Sequence, residues 1–175
     1  LGFKTKRIKD ITNFNEIFDG RVKTLHPKIH GGILYKRNNI SHKKIIKKNK
    51  IPNINYVIVN LYDFKKTINK NKTYDECIES IDIGGHSLIR SAAKNYKYVN
   101  ILTNINDYKK LGQELKKNKN GTSLSFRKNL AKKAYKLIYE YDSQISKWFN
   151  KNYDKIKNKN LKKLKYGENP HQKAS

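Results

Sequence analysis

The stretch that decides the fold is Tyr56-Val57-Ile58-Val59-Asn60-Leu61-Tyr62 (residues 56–62). Its first four residues are a continuous aromatic and β-branched run. That composition favours a strand covered on both faces, as in a parallel sheet flanked by helices. Pro52 closes the segment before it. A second strand reads at Tyr98-Val99-Asn100-Ile101-Leu102, and a weaker one around Arg7-Ile8-Lys9-Asp10-Ile11. Between the two clear strands the pattern turns helical. Thr73-Tyr74-Asp75-Glu76 is a capping box ahead of Cys77, Ile78 and Ile81. Gly84-Gly85 interrupts, and a second helix runs from about Ser87 to Tyr96 with Leu88, Ile89, Ala92 and Ala93 on one side. Ser41 is placed to cap a lysine-rich helix that buries Ile45 and Ile46. Asp107 opens another helix. From Ser125 to Asn150, the residues Phe126, Leu130, Ala134, Ile138, Tyr141, Ile145 and Trp148 recur at steps of three or four, an amphipathic helix. Strands alternating with helices predict an α/β layered domain with a mostly parallel sheet flanked by helices.

The bulk numbers bound the function classes. A chain of 175 residues is long enough for one domain with a real core. It is polar, with a mean hydropathy of −0.91, yet twelve Tyr, six Phe and one Trp argue against disorder. A net charge of +26 points at face value to a nucleic-acid or acidic-membrane partner. That reading is discounted, because the only arginines are Arg7, Arg21, Arg37, Arg90 and Arg127, and the lysines run with Asn, Ile and Tyr all round the helices. Such a mixture reads as A/T-rich coding bias and a solvated surface. Cys77 stands alone, which excludes an intrachain disulfide and a cysteine metal cluster. No apolar run spans a bilayer, and Leu1 to Lys6 lacks a signal-peptide core, so a soluble cytoplasmic protein is expected. With no methionine and leucine at position 1, the sequence reads as a fragment.

Three polar segments carry the chemistry. Asp19-Gly20-Arg21-Val22-Lys23-Thr24-Leu25-His26-Pro27-Lys28-Ile29-His30-Gly31-Gly32 has too few apolar positions for a period and reads as an ordered surface loop. Arg21, Lys23 and Lys28 are cationic donors, Thr24 supplies a hydroxyl, and the glycines admit close backbone approach. The set suits a phosphate- or carboxylate-bearing small molecule; the plain alternative is a charged connector. Parallel sheets bind ligands at the carboxyl ends of their strands. Asn60-Leu61-Tyr62 and Asp82-Ile83-Gly84-Gly85 meet that rule together with the basic loop. The Tyr62 phenol either enters such a crevice or packs in the core. Asp82 either caps a helix or accepts from a ligand. Lys94, one turn from Arg90 and beside the small residues Ser91, Ala92 and Ala93, is an ordinary exposed lysine or a proton-transfer group in a partly dry pocket. His26 and His30 are four apart, but Pro27 and the nearby cations disfavour a metal. No serine sits in a nucleophile elbow.

Five stretches, DGRVKTLHPKIHGGIL (19–34), VNLYDF (59–64), IDIGG (81–85), SAAKNY (91–96) and LKYGENPHQKA (164–174), resemble the amino-terminal half of the bifunctional purine biosynthesis family, IMP cyclohydrolase joined to AICAR formyltransferase. They occur in the family's order and cover nearly the whole chain. The resemblance implies a methylglyoxal-synthase-like domain over residues 1–150 that lacks its N-terminal strand and phosphate loop, a linker over 151–163, and the start of the formyltransferase domain over 164–175. It implies ring closure of formyl-AICAR to IMP with loss of water, with no metal or organic cofactor. In the full-length protein, 10-formyltetrahydrofolate would be the co-substrate of the second activity. Arg21, Lys23 and Thr24 would bind the nucleotide, with Lys23 also near the formyl group. Asn60 and Tyr62 would line the base side, and Asp82 with the Ile83 and Gly84 backbone would hold the carboxamide region. Lys94 would move a proton, and Lys165 and Tyr166 would touch AICAR. Implied partners are IMP and formyl-AICAR as ligands and a homodimer when full length, with no membrane and no nucleic acid. The sequence departs from the family at Asp63, where proline is usual, at His86, where proline or another small residue is usual, and at Lys165, where arginine is usual and lysine cannot reproduce its bidentate contact. A chain lacking the phosphate loop is expected to bind IMP poorly and turn over slowly or not at all. The competing readings are a basic nucleic-acid-binding module, and another phosphate-binding enzyme of the methylglyoxal-synthase-like fold.

Overall fold

Tyr56–Ile58 (β1) and Asn100–Leu102 (β2) pair in parallel, with Tyr56 opposite Asn100 and Ile58 opposite Leu102. Val59 extends the ladder by donating to the Leu102 carbonyl at 3.0 Å. The computed structural model describes residues 2, 4–70 and 72–160, the last eight of them by backbone alone. It divides into two compact units, Leu1–Tyr139 and Glu140–Ser175.

In the first unit β2 is buried along its length, whereas β1 buries only Val57. Tyr56 and Ile58, which share the other face by strand alternation, are 38% and 52% exposed. This corrects the expectation of a β1 covered on both faces. A hydrophobic run reports that a strand is buried somewhere; it does not say that every face has a neighbour, and no described element covers this one.

Gly84–Lys94 (α6) packs on both strands and Pro27–Leu34 (α2) packs on α6, while Leu130, Ala131, Ala134 and Ile138 of Leu124–Asn160 (α8) join them in one buried cluster. Ile33, Ile89, Val99, Ile101, Leu102 and Leu130 are at most 2% exposed and form the centre of the core. Each such side chain contributes about 1.5–3 kcal/mol relative to its exposed state. Phe64, on the short helix Phe64–Ile68 (α4), is equally buried. Asp63 caps α4 by accepting from the Lys66 amide at 2.9 Å, which gives the unusual aspartate a local role.

Several local expectations change. Residues 7–11 are not a strand: Ile8–Thr12 is a helix (α1), at whose start the Asp10 carboxylate accepts from the Arg7 amide and guanidinium. Ile8, Ile11 and Thr12 fall on one helical face, the period that the short window concealed. The lysine-rich helix Ile40–Lys48 (α3) is capped by Asn39 rather than Ser41, whose hydroxyl donates to the Asn39 side chain instead. Ile45 is 54% exposed rather than buried. Tyr74–Glu79 (α5) starts from the Thr73–Glu76 capping box as expected. Gly84 and Gly85, expected as a break between two helices, form the first turn of α6, which starts there rather than at about Ser87. A 3-10 turn at Ile105–Asp107 precedes Tyr108–Lys117 (α7).

The largest correction concerns residues 27–32, read as the end of the loop and found within α2. Pro27 sits in the first turn, where its missing N–H costs nothing, and His26 Nδ1 accepts from the Lys28 amide at 3.1 Å. A Cβ on Gly32 would stand 2.4 Å from the Pro52 carbonyl oxygen. What approaches this glycine is the chain's own backbone, not a ligand. The carbonyls at the end of α2 are taken by side-chain donors, one from just beyond the helix and one distant in sequence. Arg37 reaches Gly32 and Tyr35 as well as Ile54, and Asn95 reaches Ile33 and Tyr35. Arg127 similarly clamps the carbonyls of Tyr96, Lys97 and Thr122. Two of the five arginines thus hold backbone together.

The described part of the second unit, from Glu140, is the remainder of α8, in which Trp148 and Phe149 meet edge to face at 5.0 Å. Residues 151–160 are therefore helical, and 161–163 lie outside the described residues. No described helix is long and apolar enough to cross a membrane.

Candidate functional site

The basic segment begins as a small hairpin. Ile17 and Val22 form an antiparallel bridge around a turn in which Phe18, Asp19 and Gly20 all have positive φ. The Asp19-Gly20 pair is the usual chemistry of such a turn. The register follows directly: with Ile17 opposite Val22, Glu16 stands opposite Lys23. Their side chains pair at 2.7 Å, and the Lys23 ammonium holds the Glu16 carboxyl below its usual value. Arg21 leaves the turn and forms an ion pair with Glu79, the last residue of α5.

Thr24 continues toward α6. Its Oγ1 lies 3.1 Å from where a Cβ on Gly84 would stand, so the basic loop and the start of α6 touch there. Asp82 Oδ1 accepts from the Gly85 amide at 2.7 Å, the capping role allowed by the sequence. A Cβ on Gly85 would fall 2.6 Å from that carboxylate, so a larger residue here would push the Asp82 side chain out of place.

The connection between parallel strands fixes the rest. α6 is the last helix before β2 and runs back against the strand direction, which sets its amino end at the carboxyl edge of the sheet. Asn60 and Tyr62 follow the carboxyl end of β1 at that same edge. Both are exposed; Tyr62, at 68%, is not packed in the core. Arg21, Thr24, Glu79 and the Asp82–Gly84 turn are thus adjacent segments, with the backbone of Ile83 and Gly84 among them.

Lys94 is placed differently. Ten residues along α6 from Gly84, it stands about 15 Å away at the helix's other end, and it is exposed. Its small neighbours serve packing: Ala92 and Ala93 are in the core, and the Ser91 hydroxyl meets His30 Nδ1 at 2.9 Å. His26 is occupied by its cap, and the described residues contain no group of three or more His, Cys, Asp or Glu arranged to hold a metal. Lys165 and Tyr166 lie outside the described residues.

Sequence reasoning missed Glu16 and Glu79, the carboxylates that pair with Lys23 and Arg21. The Asp-Gly turn signal was present and would have placed Glu16 opposite Lys23. Nothing in the local sequence pointed to Glu79.

A family model described as "MGS-like domain" matches residues 1–87, and one described as "AICARFT/IMPCHase bienzyme" matches residues 92–175. The chain belongs to this bienzyme family. Among curated members, the "Bifunctional purine biosynthesis protein PurH" of Bradyrhizobium diazoefficiens is 44% identical over 99% of the chain and 34% of that protein. Its namesake from Clostridioides difficile is 48% identical over 98% and 34%, and that of Prochlorococcus marinus (strain MIT 9215) is 47% identical over 96% and 33%. The chain therefore spans about a third of the length of these bienzyme relatives. A solved structure described as "Crystal structure of ForH" superposes with a TM-score of 0.67 at 29% identity, covering 85% of this chain and 77% of that one. The fold is the α/β layered, MGS-like one.

Proposed function

We propose that this chain supplies the IMP cyclohydrolase part of a purine-biosynthetic bienzyme, closing formyl-AICAR to IMP with loss of water. The observation that carries the reading is the meeting of Thr24 with Gly84, beside Arg21 and the Asp82-capped start of α6. It joins two stretches distant in sequence at the ligand edge of a parallel sheet.

The chemistry needs positioning before anything else. The carboxamide nitrogen attacks the formyl carbon, forming a C–N bond and a tetrahedral centre whose oxygen develops negative charge. Breaking the C–O bond releases that oxygen as water, with one proton from the carboxamide and one from the formamido nitrogen. Holding the two groups in contact makes the closure unimolecular and removes most of the entropic barrier. In this reading Arg21 and Thr24 hold the nucleotide's anionic part, and Asn60 and Tyr62 stand on the base side. Asp82 with the Ile83 and Gly84 backbone orients the carboxamide. Lys23 offers an ammonium to the developing oxyanion and a proton to the departing oxygen. Lys94 enters as a second proton-transfer group only if the loaded site reaches along α6. The ring closure calls on no metal or organic cofactor in this scheme, and 10-formyltetrahydrofolate would serve the second activity of the whole bienzyme. Residues 1–150 would form the cyclohydrolase domain, with 151–163 linking to a formyltransferase domain begun at 164–175. A homodimer and a cytoplasmic setting belong to the same reading.

The deciding experiment titrates IMP against the chain and its Lys23→Ala and Thr24→Val variants, read by thermal protection. Protection of the parent chain that either substitution removes supports the reading. Protection by single-stranded nucleic acid that falls steeply with salt, with none by IMP, replaces it with the basic-module alternative.

A further inference from the structure

In the structure each loop cation assigned to the ligand already carries a carboxylate. Lys23 holds Glu16 at 2.7 Å, and Arg21 holds Glu79. The two carboxylates arrive by unrelated routes. Glu16 is fixed by the hairpin register beside the Ile17–Val22 bridge, whereas Glu79 comes from the end of α5, fifty-eight residues from Arg21. Next to the Lys23–Glu16 pair lies a cavity of about 460 Å³, within the range of small-molecule sites. Arg7, Lys9, Phe14 and Asn15 line it together with Glu16 and Lys23. All four members of the two pairs are more than half exposed, so an incoming anion reaches them from solvent.

We propose that Glu16 and Glu79 are place-holding carboxylates, which keep Lys23 and Arg21 oriented before a ligand binds and are exchanged for the phosphate or carboxylate of an arriving ligand. This rests on the reading of the loop as a ligand site and adds how that site is regulated. The exchange has a physical rationale. A cation on a flexible stem that waits unpaired samples many rotamers, and a ligand must then bear the cost of ordering it. A register-locked carboxylate orders the cation beforehand, but the ligand must break an ion pair to enter. Exposed pairs of this kind are weak, so the exchange is near balance and responds to a single charge. Both glutamates are thereby specificity elements. A neutral ligand cannot displace them, whereas an anion of two charges replaces one carboxylate with a gain.

The test uses the full 175-residue chain and its Glu16→Gln, Glu79→Gln, Lys23→Ala and Glu16→Gln/Lys23→Ala variants. Each is titrated calorimetrically with inorganic phosphate and, separately, with IMP. Glu16→Gln and Glu79→Gln should each tighten phosphate binding about two- to fivefold. The gain from Glu16→Gln should vanish in the Lys23→Ala background. Unchanged or weaker phosphate binding in both glutamine variants overturns the proposal. So does an equal gain with Lys23 absent, since that would report net charge alone, and so does an absence of phosphate binding in every form. Tightening seen with phosphate while IMP fails to bind leaves the exchange standing and removes the nucleotide reading. IMP bound equally by the parent and both glutamine variants, with phosphate unaffected, does the reverse.

Discussion

The side-chain amide of Asn95 donates to the carbonyl oxygen of Ile33 at 2.6 Å, joining the last turn of α2 to the end of α6. It is one of three ties at a nearly constant offset. Thr24 meets Gly84, His30 meets Ser91, and Asn95 meets Ile33 and Tyr35. Parallel helices in step are the reason the basic loop arrives at the amino end of α6. Asn95 is 9% exposed, so Asn95→Leu would leave the Ile33 carbonyl without that donor in a dry setting. The expected cost is about 1–3 kcal/mol. It should appear as a lower urea midpoint at unchanged slope.

Gly32→Ala tests the close approach at the middle of the same helix. Alanine raises intrinsic helix propensity by about 1 kcal/mol, yet its methyl group would overlap the Pro52 carbonyl oxygen, which belongs to backbone and cannot swing aside. Overpacking of this kind costs about 1–3 kcal/mol, so net destabilisation is expected in chemical denaturation. Gly31→Ala is the control. Its Cβ would meet Ile51 at 3.4 Å, an ordinary contact, and the helix gain should survive.

His30 sets an acid limit. Its Nδ1 meets Ser91, its Nε2 is buried with no hydrogen-bond partner among the described residues, and burial lowers its pKa from the usual 6.5. The unfolded chain therefore takes up a proton at this residue at a higher pH than the folded one. Its contribution is intact above pH 6.5 and is lost as pH falls from there toward the lowered native value. Unfolding midpoints measured from pH 8 to about 5 should decline more steeply for the parent chain than for His30→Gln. Equal slopes would assign the decline to other groups.

The architecture was legible where side-chain period and turn chemistry are local. The Tyr56–Val59 run gave a parallel strand, Thr73–Glu76 gave the start of α5, and the steps from Phe126 to Ile138 gave α8. α2 was illegible because its stability is not its own. A helix reading PKIHGGIL has two glycines and is completed by Arg37, just past its end, and by Asn95, a donor that no window of local sequence contains. The exposed face of β1 was hidden for the opposite reason, since a strand's composition does not name its neighbours. Among the expected site residues, Thr24 and the Asp82–Gly84 turn could be joined in advance by the strand-end rule. The distance of Lys94 could also have been computed, because ten helical residues set it once α6 is continuous from Gly84.

Gly84→Ala separates the site from the scaffold. The new methyl group would press on Thr24 Oγ1 at 3.1 Å, a side-chain atom that can rotate away. The helix therefore keeps most of alanine's propensity gain, and global stability should change by less than about 1 kcal/mol. What moves is the hydroxyl and the loop that carries it, at the point where the basic segment touches α6. If that junction holds the ligand, IMP affinity should fall about five- to tenfold, the scale of one lost hydrogen bond. Thr24→Ser keeps the hydroxyl while removing a methyl group, and should lose less. In the Gly84→Ala/Thr24→Ser double variant the smaller side chain has room to retreat without leaving the site, so part of the lost affinity should return. An IMP affinity untouched by Gly84→Ala would place the ligand elsewhere on the sheet edge, on the Asn60–Tyr62 side, and would detach Thr24 from the reaction.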